Sequence, residues 1–184
     1  MTWGFGPGQV SASGADCAWS VYATDLDGDG DVDVLSASRH DNKIAWYENL
    51  GGGSFGPQQV ITTDANWAHC VYATDLDGDG DADVLSASMM DNKIAWYENL
   101  GCNGAVGVLF GPQQVITFDV DAPQFVRATD LDGDGDADVL SASFVDGKIA
   151  WYENLGGGTF GPQQVITTDA IGAESVYAID LDCD

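Results

Sequence analysis

The segment Asp25–Ser38 reads DLDGDGDVDVLSAS, and it decides how the rest of the chain is interpreted. It places an aspartate at every second position, adds two glycines, and ends in a short apolar run that favours a β-strand. The segment recurs as DLDGDGDADVLSAS at residues 75–88 and 130–143, and a broken copy begins at Asp180. Two further motifs recur with it: Phe-Gly-Pro begins at Phe5, Phe55, Phe110 and Phe160, and KIAWYENL begins at Lys43, Lys93 and Lys148. The chain is therefore built from internal repeats.

The repeat units differ in length at one place. Successive Phe-Gly-Pro motifs are 50, 55 and 50 residues apart, and the extra residues lie between Leu100 and Phe110. That stretch, GCNGAVGVL, predicts a loop insertion. We interpret residues 1–184 as one repeat domain. Its units are residues 5–54, 55–109 and 110–159, followed by a half unit at 160–184.

Each unit predicts four short strands. In the first unit VYATD, DVLSAS and KIAWYENL, and QQVITT in later ones, are rich in Val, Ile, Tyr, Trp and Thr, and turn-forming residues separate them. No segment has an apolar stripe at helical spacing with a credible cap. Four strands in about 50 residues is the period of a propeller blade, with a β-solenoid as the main alternative. We therefore predict an all-β fold of propeller blades, with VYATD and DVLSAS nearest the centre and KIAWYENL packed between neighbouring blades.

The alternate aspartates predict a cation site in each loop, because calcium takes six to eight oxygen ligands in a flexible geometry. In the first loop, Asp25, Asp27 and Asp29 are expected to give side-chain oxygens. Asp31 is expected to give its backbone carbonyl and Asp33 a returning carboxylate. The same roles fall on Asp75, Asp77, Asp79, Asp81 and Asp83, and on Asp130, Asp132, Asp134, Asp136 and Asp138. Without a cation, so many carboxylates in one short loop would repel each other strongly.

Other cations fit these loops less well. Magnesium prefers strict octahedral geometry and keeps its waters, and zinc and copper favour His or Cys, which the loops lack. An aspartate-rich turn without an ion is the simpler alternative, since Asp favours turns. An EF-hand would need a helix on each side and Glu at the twelfth loop position, which here is Ser36, Ser86 or Ser141. We therefore predict Ca²⁺ as the cofactor.

The combined pattern resembles the FG-GAP/VCBS repeat family, whose best-known members are the integrin alpha-subunit propellers. The resemblance rests on Phe-Gly followed 20 residues later by the aspartate loop, and it covers essentially the whole chain. It implies blades of four antiparallel strands in which the calcium loop links the innermost strand to the next. Integrin-type repeats carry Gly-Ala-Pro soon after the loop, where this chain has Ser-Ala-Ser at residues 36–38, 86–88 and 141–143. The chain is therefore more similar to bacterial and environmental VCBS repeats, and integrin-like ligand recognition is in doubt.

The net negative charge of the chain excludes some classes of binding partner. The chain has 30 acidic residues against 5 Lys and Arg, a net charge of -25. A polyanion is repelled by phosphate, so we expect no nucleic acid or anionic lipid as partner, and no apolar stretch of about 18 residues predicts membrane insertion. The two histidines, His40 and His69, occupy non-equivalent positions, and no nucleophile motif accompanies them. We therefore expect no catalytic residues and a protein that is not an enzyme.

The tryptophans indicate where a ligand would bind. Trp46, Trp96 and Trp151 recur at one position of KIAWYENL, which predicts packing between blades, with a stacking platform for sugars as the alternative. Trp19 and Trp67 instead precede the predicted inner strand, in a segment that differs from unit to unit. Binding surfaces are usually built from variable loops on a constant scaffold. We therefore expect any ligand site in this variable segment.

About three and a half units predict an incomplete ring, because propellers typically close with four to eight blades. GQVSAS at residues 8–13 is typical of an outer strand and VYAID at 176–180 of an inner strand without partners. We expect a fragment of a longer propeller or an assembly of copies. The loop that begins at Asp180 is incomplete and is expected to bind an ion weakly or not at all.

The chain has four cysteines: Cys17, Cys70, Cys102 and Cys183. They allow three disulfide pairings, and the sequence does not choose between them.

Three functions fit these features. The first is a calcium-stabilised adhesion or ligand-binding scaffold, the second a lectin-like propeller, and the third an accessory segment of a larger secreted enzyme. Extracellular modules of this kind hold calcium at about 10⁻⁴–10⁻³ M, so we expect an extracellular or cell-surface location. The first residues, MTWGFGPGQV, nevertheless lack the basic and apolar regions of a signal peptide. Besides calcium, the expected partner is a protein or a carbohydrate.

Overall fold

The computed structural model describes residues 14–103 and 107–181. These residues form fourteen β-strands and no helix, so they contain no helical segment suited to crossing a membrane. The all-β prediction is confirmed. The Phe-Gly motif at Phe5, the predicted outer strand at residues 8–13, and the end of the fourth loop at 182–184 lie outside the described residues.

Twelve of the strands form three sheets, one for each full repeat, and every pairing within them is antiparallel. The first sheet contains β1 (Ala18–Thr24), β2 (Asp33–Ser38), β3 (Lys43–Tyr47) and β4 (Gln59–Thr62). The second unit contributes β5 (Ala68–Thr74), β6 (Asp83–Ser88), β7 (Lys93–Tyr97), an inserted hairpin of β8 (Asn99–Asn103) and β9 (Gly107–Phe110), and the fourth sheet strand β10 (Gln114–Thr117). The third sheet contains β11 (Pro123–Thr129), β12 (Asp138–Ser143), β13 (Ile149–Tyr152) and β14 (Gln164–Thr167). The predicted blade of four antiparallel strands is thus confirmed, and the expected loop insertion proves to contain a hairpin.

Successive sheets pack face to face. Leu35, Ile44 and Trp46 of the first sheet pack in one cluster with Val84 and Tyr97 of the second. The second and third sheets meet through the equivalent residues of the next units. Burial of these apolar faces is the main favourable term in holding the sheets together, at about 25 cal/mol per Å². The sheets do not close into a ring within the described residues, and their arrangement fits a β-propeller.

The tryptophans of KIAWYENL are core residues wherever a following sheet covers them. Trp46 and Trp96 expose only 2% and 3% of their surface. A side chain at Gly158 of the third repeat would overlap the Trp96 ring, which shows how closely the two units approach. Trp151 lies on the face of the third sheet that no further sheet covers in the described residues, and it is partly exposed. Packing between sheets, and not sugar stacking, therefore accounts for Trp46 and Trp96.

The first strands of the three sheets lie side by side where the sheets converge, since β1 contacts β5 and β5 contacts β11. The rings of Tyr22 and Tyr72 are 4.7 Å apart, and the Arg127 guanidinium lies 5.5 Å from the Tyr72 ring. Tyr177 continues this series, because Arg127 also lies 4.7 Å from its ring. Residues 176–180 nevertheless form no strand, so that prediction is wrong. In the complete sheets this segment pairs with the DVLSAS strand that follows it, and none follows within the described residues.

The described cysteines form no disulfide. Cys17 and Cys102 are exposed free thiols, and Cys70 is a buried one. The Cys70 thiol lies between the second and third sheets, where it donates to the Val126 carbonyl at 3.6 Å. Cys183 lies outside the described residues.

Candidate metal centres in the aspartate loops

Each aspartate loop joins the first and second strands of a sheet. The first strand ends at Thr24, which pairs with Asp33 at the start of the second, so residues 25–32 connect the two strands at one end of the sheet. The loops of the second and third sheets occupy the same place in the same register. The three loops therefore share one end of the molecule, between the innermost strand and the next, as the family resemblance implies.

Aspartate side chains hold each loop in a tight coil by accepting hydrogen bonds from N–H groups of the same loop. The Asp25 carboxylate accepts hydrogen bonds from the N–H groups of Gly28 and Gly30, at 2.9 and 3.0 Å. Asp27 and Asp29 each accept the N–H of the residue two positions later, at 3.2 and 2.8 Å. The second and third loops repeat all four bonds. The alternation of Asp therefore fixes the local backbone as well as supplying acid groups.

Two glycines permit this coil. Gly28 and Gly30 have φ angles of 76° and 95°, and the equivalent glycines of the other loops have closely similar values. Residues with a side chain rarely adopt this left-handed region, whereas glycine enters it without a steric penalty. The Asp-Gly-Asp-Gly-Asp spacing is thus a backbone requirement of the loop.

The coil brings three carboxylates of every loop together. In each group, one oxygen from each aspartate lies within 4.8 Å of the other two. The groups are Asp25, Asp27 and Asp29 in the first loop, Asp75, Asp77 and Asp83 in the second, and Asp130, Asp132 and Asp138 in the third. The other predicted side-chain ligands, Asp33, Asp79 and Asp134, lie outside these groups. Asp31, Asp81 and Asp136 are predicted to contribute backbone carbonyls, to which this grouping of side chains does not apply.

The last aspartate of each loop is buried and held by two backbone donors. Asp83 accepts the N–H of Leu76 at 2.9 Å on one oxygen and the N–H of Asn99 at 2.8 Å on the other. Asp33 and Asp138 make the same pair of bonds. This carboxylate therefore ties the start of the loop to the segment after the third strand, and each of its oxygens keeps a second lone pair.

Negative charge is crowded in these loops. The pKa of Asp83 is raised to about 7, chiefly by burial and also by the nearby Asp77 and Asp79 carboxylates, although its backbone hydrogen bonds lower it. Burial also raises the pKa of Asp27 and Asp77, and neighbouring acidic groups add to the effect. The ionised forms of these three carboxyl groups are thus disfavoured by their surroundings, and a bound cation would reverse that.

The donor set of these loops fits calcium. The grouped side chains are all carboxylates, with no His or Cys among them. Carboxylate and carbonyl oxygens are the ligands that calcium takes, whereas zinc and copper favour nitrogen or sulfur. The three grouped aspartates of each loop would hold the ion, together with the backbone carbonyl at the position of Asp31.

An asparagine bridge between neighbouring loops is the feature that the sequence reasoning missed. The Asn99 side-chain amide donates to the Leu26 carbonyl in the first loop at 2.9 Å, and Asn154 donates to the Leu76 carbonyl in the second loop at 2.8 Å. Asn49 of the first sheet donates instead within its own loop. The sequence feature that could have indicated this bridge is the Asn of KIAWYENL, which follows every complete aspartate loop at a constant distance. Neighbouring candidate metal centres are therefore connected through one side chain.

Comparison with known proteins agrees with this geometry. The family model described as FG-GAP-like repeat matches residues 25–86, 75–141 and 130–184. The chain belongs to the FG-GAP-like repeat family. Each match begins at the first aspartate of a loop, so the family is recognised by the segment that forms the candidate metal centre.

One solved structure similar to this FG-GAP repeat chain is a lectin from Agrocybe aegerita, whose description states specific recognition of non-reducing terminal N-acetylglucosamine. The two are 26% identical with a TM-score of 0.58, and the match covers 82% of this chain and 38% of the lectin chain. The repeat chain thus spans well under half of the lectin's length. The search of curated proteins gives no match.

Proposed function

We propose that this FG-GAP repeat chain is a calcium-binding scaffold whose aspartate loops hold structural Ca²⁺. The observation that supports the proposal is the convergence of three carboxylates within 4.8 Å in each of the three loops. Carboxylates this close repel each other, and Ca²⁺ removes that repulsion while receiving the oxygen ligands it prefers. The proposed role is structural, because the loops lie at the junctions between strands and between sheets.

The chain's own residues would transmit the effect of the ion to the fold. Each loop fixes the turn between the two innermost strands of its sheet, and the buried Asp83 ties its loop to the end of the third strand through Asn99. The same Asn99 reaches the preceding loop at Leu26. A filled loop should therefore hold the junction between two sheets more firmly than an empty one, without any change of fold.

Isothermal titration of the full chain with Ca²⁺ tests this proposal. We expect three sites with Kd values of about 10⁻⁴–10⁻³ M, in the range of extracellular modules. Asp77→Ala removes a grouped carboxylate and should abolish one site, whereas Asp169→Ala, at an exposed aspartate outside all three loops, is the matched control and should keep three. No heat of binding at millimolar Ca²⁺, together with a melting curve insensitive to chelator, would contradict the proposal.

Carbohydrate binding is the second candidate function, and similarity to a lectin that recognises terminal N-acetylglucosamine favours it. A propeller of repeats presents loops from several units at one end, which suits recognition of a small sugar. A glycan array probed in Ca²⁺-containing buffer, followed by titration with methyl β-N-acetylglucosaminide, tests it. A protein ligand, as in an adhesion module, is the expected outcome if no glycan binds.

We also propose that the chain is not an enzyme and that it acts outside the cell or at its surface. The location follows from calcium supply, because sites with a Kd of about 10⁻⁴–10⁻³ M fill only where calcium is abundant. A role as an accessory segment of a larger secreted enzyme is compatible with both statements. Fractionation of the source cells, with antibody detection of the chain, tests the location.

A further inference from the structure

The end of the sheets opposite the aspartate loops carries a cluster of Arg39, Trp19, Trp67 and His69, here called the Arg39 cluster. The Arg39 guanidinium carbon lies 3.3 Å from the centre of the Trp19 ring and 5.5 Å from that of Trp67. The Trp19 and His69 rings are 5.1 Å apart. Trp19 and Arg39 come from the first sheet and His69 from the second, so the cluster spans a junction between sheets. Trp19 nevertheless remains 54% exposed.

A chain of hydrogen bonds holds the Arg39 guanidinium in place. His69 Nδ1 lies 2.9 Å from the Gln124 carbonyl oxygen, and because a carbonyl only accepts, this nitrogen carries the proton. His69 Nε2 is then an acceptor, and Arg39 Nη2 donates to it. Within the described residues, Arg39 Nε is buried without a hydrogen-bond partner. The guanidinium is thus oriented in advance, and a ligand could bond only to its terminal N–H groups, because the Nε N–H is buried.

This combination suits the ring of a neutral sugar. A pyranose has an apolar C–H face that packs on an exposed indole, and its hydroxyl and acetamido oxygens accept hydrogen bonds from a fixed guanidinium. An anionic ligand would also bind an arginine, but the net charge of -25 opposes the approach of any anion. Among the ligands that pair an apolar face with acceptor oxygens, the overall charge therefore favours an uncharged one.

The Arg39 cluster occurs once in the described residues. Arg39 directly follows the DVLSAS strand, and the residues in the same place in the next units are Met89 and Phe144. The position of Trp19 is likewise taken by His69 and then by Gln124. We infer that the Arg39 cluster is a single binding site for the terminal ring of a neutral sugar, an inference that rests on the carbohydrate-binding function proposed above.

Titration of the full chain with the best glycan of the array, or with methyl β-N-acetylglucosaminide, tests this site. Trp19→Ala and Arg39→Met should each weaken binding about tenfold or more, as expected for an aromatic or arginine anchor. Phe118→Ala is the matched control, because Phe118 is an aromatic residue, 64% exposed, in the segment that connects the second sheet to the third, outside the cluster. It should bind like the wild type.

The outcomes separate the site from the function. Wild-type binding that both cluster variants retain would overturn the site and leave the carbohydrate function standing. A wild type that binds no glycan would overturn both. If a variant fails to fold, the site is tested instead in the wild type, by following the indole N–H resonance of Trp19 in NMR spectra. That resonance should shift on adding sugar while that of the buried Trp96 stays fixed, and the absence of a Trp19 shift would overturn the site.

Discussion

The two ends of the sheets differ in how strictly the repeats keep their sequence. At the aspartate-loop end, three loops make the same four internal hydrogen bonds and the same anchor through the last aspartate. At the opposite end, one position holds Arg39, Met89 and Phe144 in successive units. A loop that must coil locally and pass a contact to the next unit tolerates few sequences, whereas an exposed hairpin does not have this constraint. The strictly repeated residues that fix the backbone thus lie at one end, and the residues proposed to recognise a ligand lie at the other.

Removal of calcium should have the largest effect, and it should act through the aspartate-loop end. At about 1 mM Ca²⁺ and a Kd of about 0.1 mM, each site contributes about 1.4 kcal/mol to the free energy of unfolding, so three independent sites contribute about 4 kcal/mol. For a domain of this size, that corresponds to a fall in melting temperature of about 8–16 °C. Thermal unfolding followed by circular dichroism, with and without chelator, measures it. A change below 2 °C or so would contradict a stabilising role of the loops.

Asp83→Ala should have the next largest effect, even without calcium. Asp83 is fully buried, and its loss leaves the N–H groups of Leu76 and Asn99 without their acceptor. We expect a loss of about 2–3 kcal/mol in unfolding free energy, because buried donors without partners are costly. Asp79 in the same loop is exposed and accepts one hydrogen bond, from the Asp81 N–H, so Asp79→Ala should cost less, about 0.5–1 kcal/mol. Urea unfolding in chelator compares the two, and equal losses would show that the anchor is unimportant.

Much of this architecture follows from the repeated sequence. Four β-forming runs per unit predicted the four-stranded sheets, and the Asp-Gly alternation predicted the coiled loops, because both are determined by residues close in sequence. The bridge from Asn99 to Leu26 could not be predicted, since these residues are far apart in the chain and the sequence does not state which sheets adjoin. The same holds for the contact of Arg39 with His69 across a sheet junction. The inserted hairpin was missed because its glycine-rich sequence favours a loop.

Asn99→Ala should have an intermediate effect that tests the link between loops. Asn99 is buried, and its side-chain amide reaches the preceding loop, so its loss should cost about 1–2 kcal/mol. Asn49 occupies the same place in the first sheet, but among the described residues its amide donates to Val32 of its own loop and not to a neighbouring loop, so Asn49→Ala should cost less. Urea unfolding of both variants in saturating Ca²⁺ measures the difference. An Asn49 variant as unstable as the Asn99 variant would remove the evidence for a link between sheets.

The smallest expected effect comes from protonation of His69 at the opposite end. Burial lowers the pKa of His69 and the Arg39 charge lowers it further, although the Gln124 hydrogen bond and the Glu174 charge oppose this. Below its ordinary pKa of about 6.5 the unfolded chain therefore takes up a proton that the folded chain resists, and stability falls by at most about 1.4 kcal/mol per pH unit. The stability that comes with a neutral His69 is fully present above that pH and is lost as the pH falls below it.

The aspartate loops also titrate, so the measurement is the difference between the wild type and the His69→Gln variant, which have the same loops. Chemical unfolding at pH 7 and pH 5 should show the wild type losing more stability than the variant. Parallel losses in the two proteins would contradict a neutral His69 in the folded chain, the state in which its Nε2 can accept a hydrogen bond from Arg39.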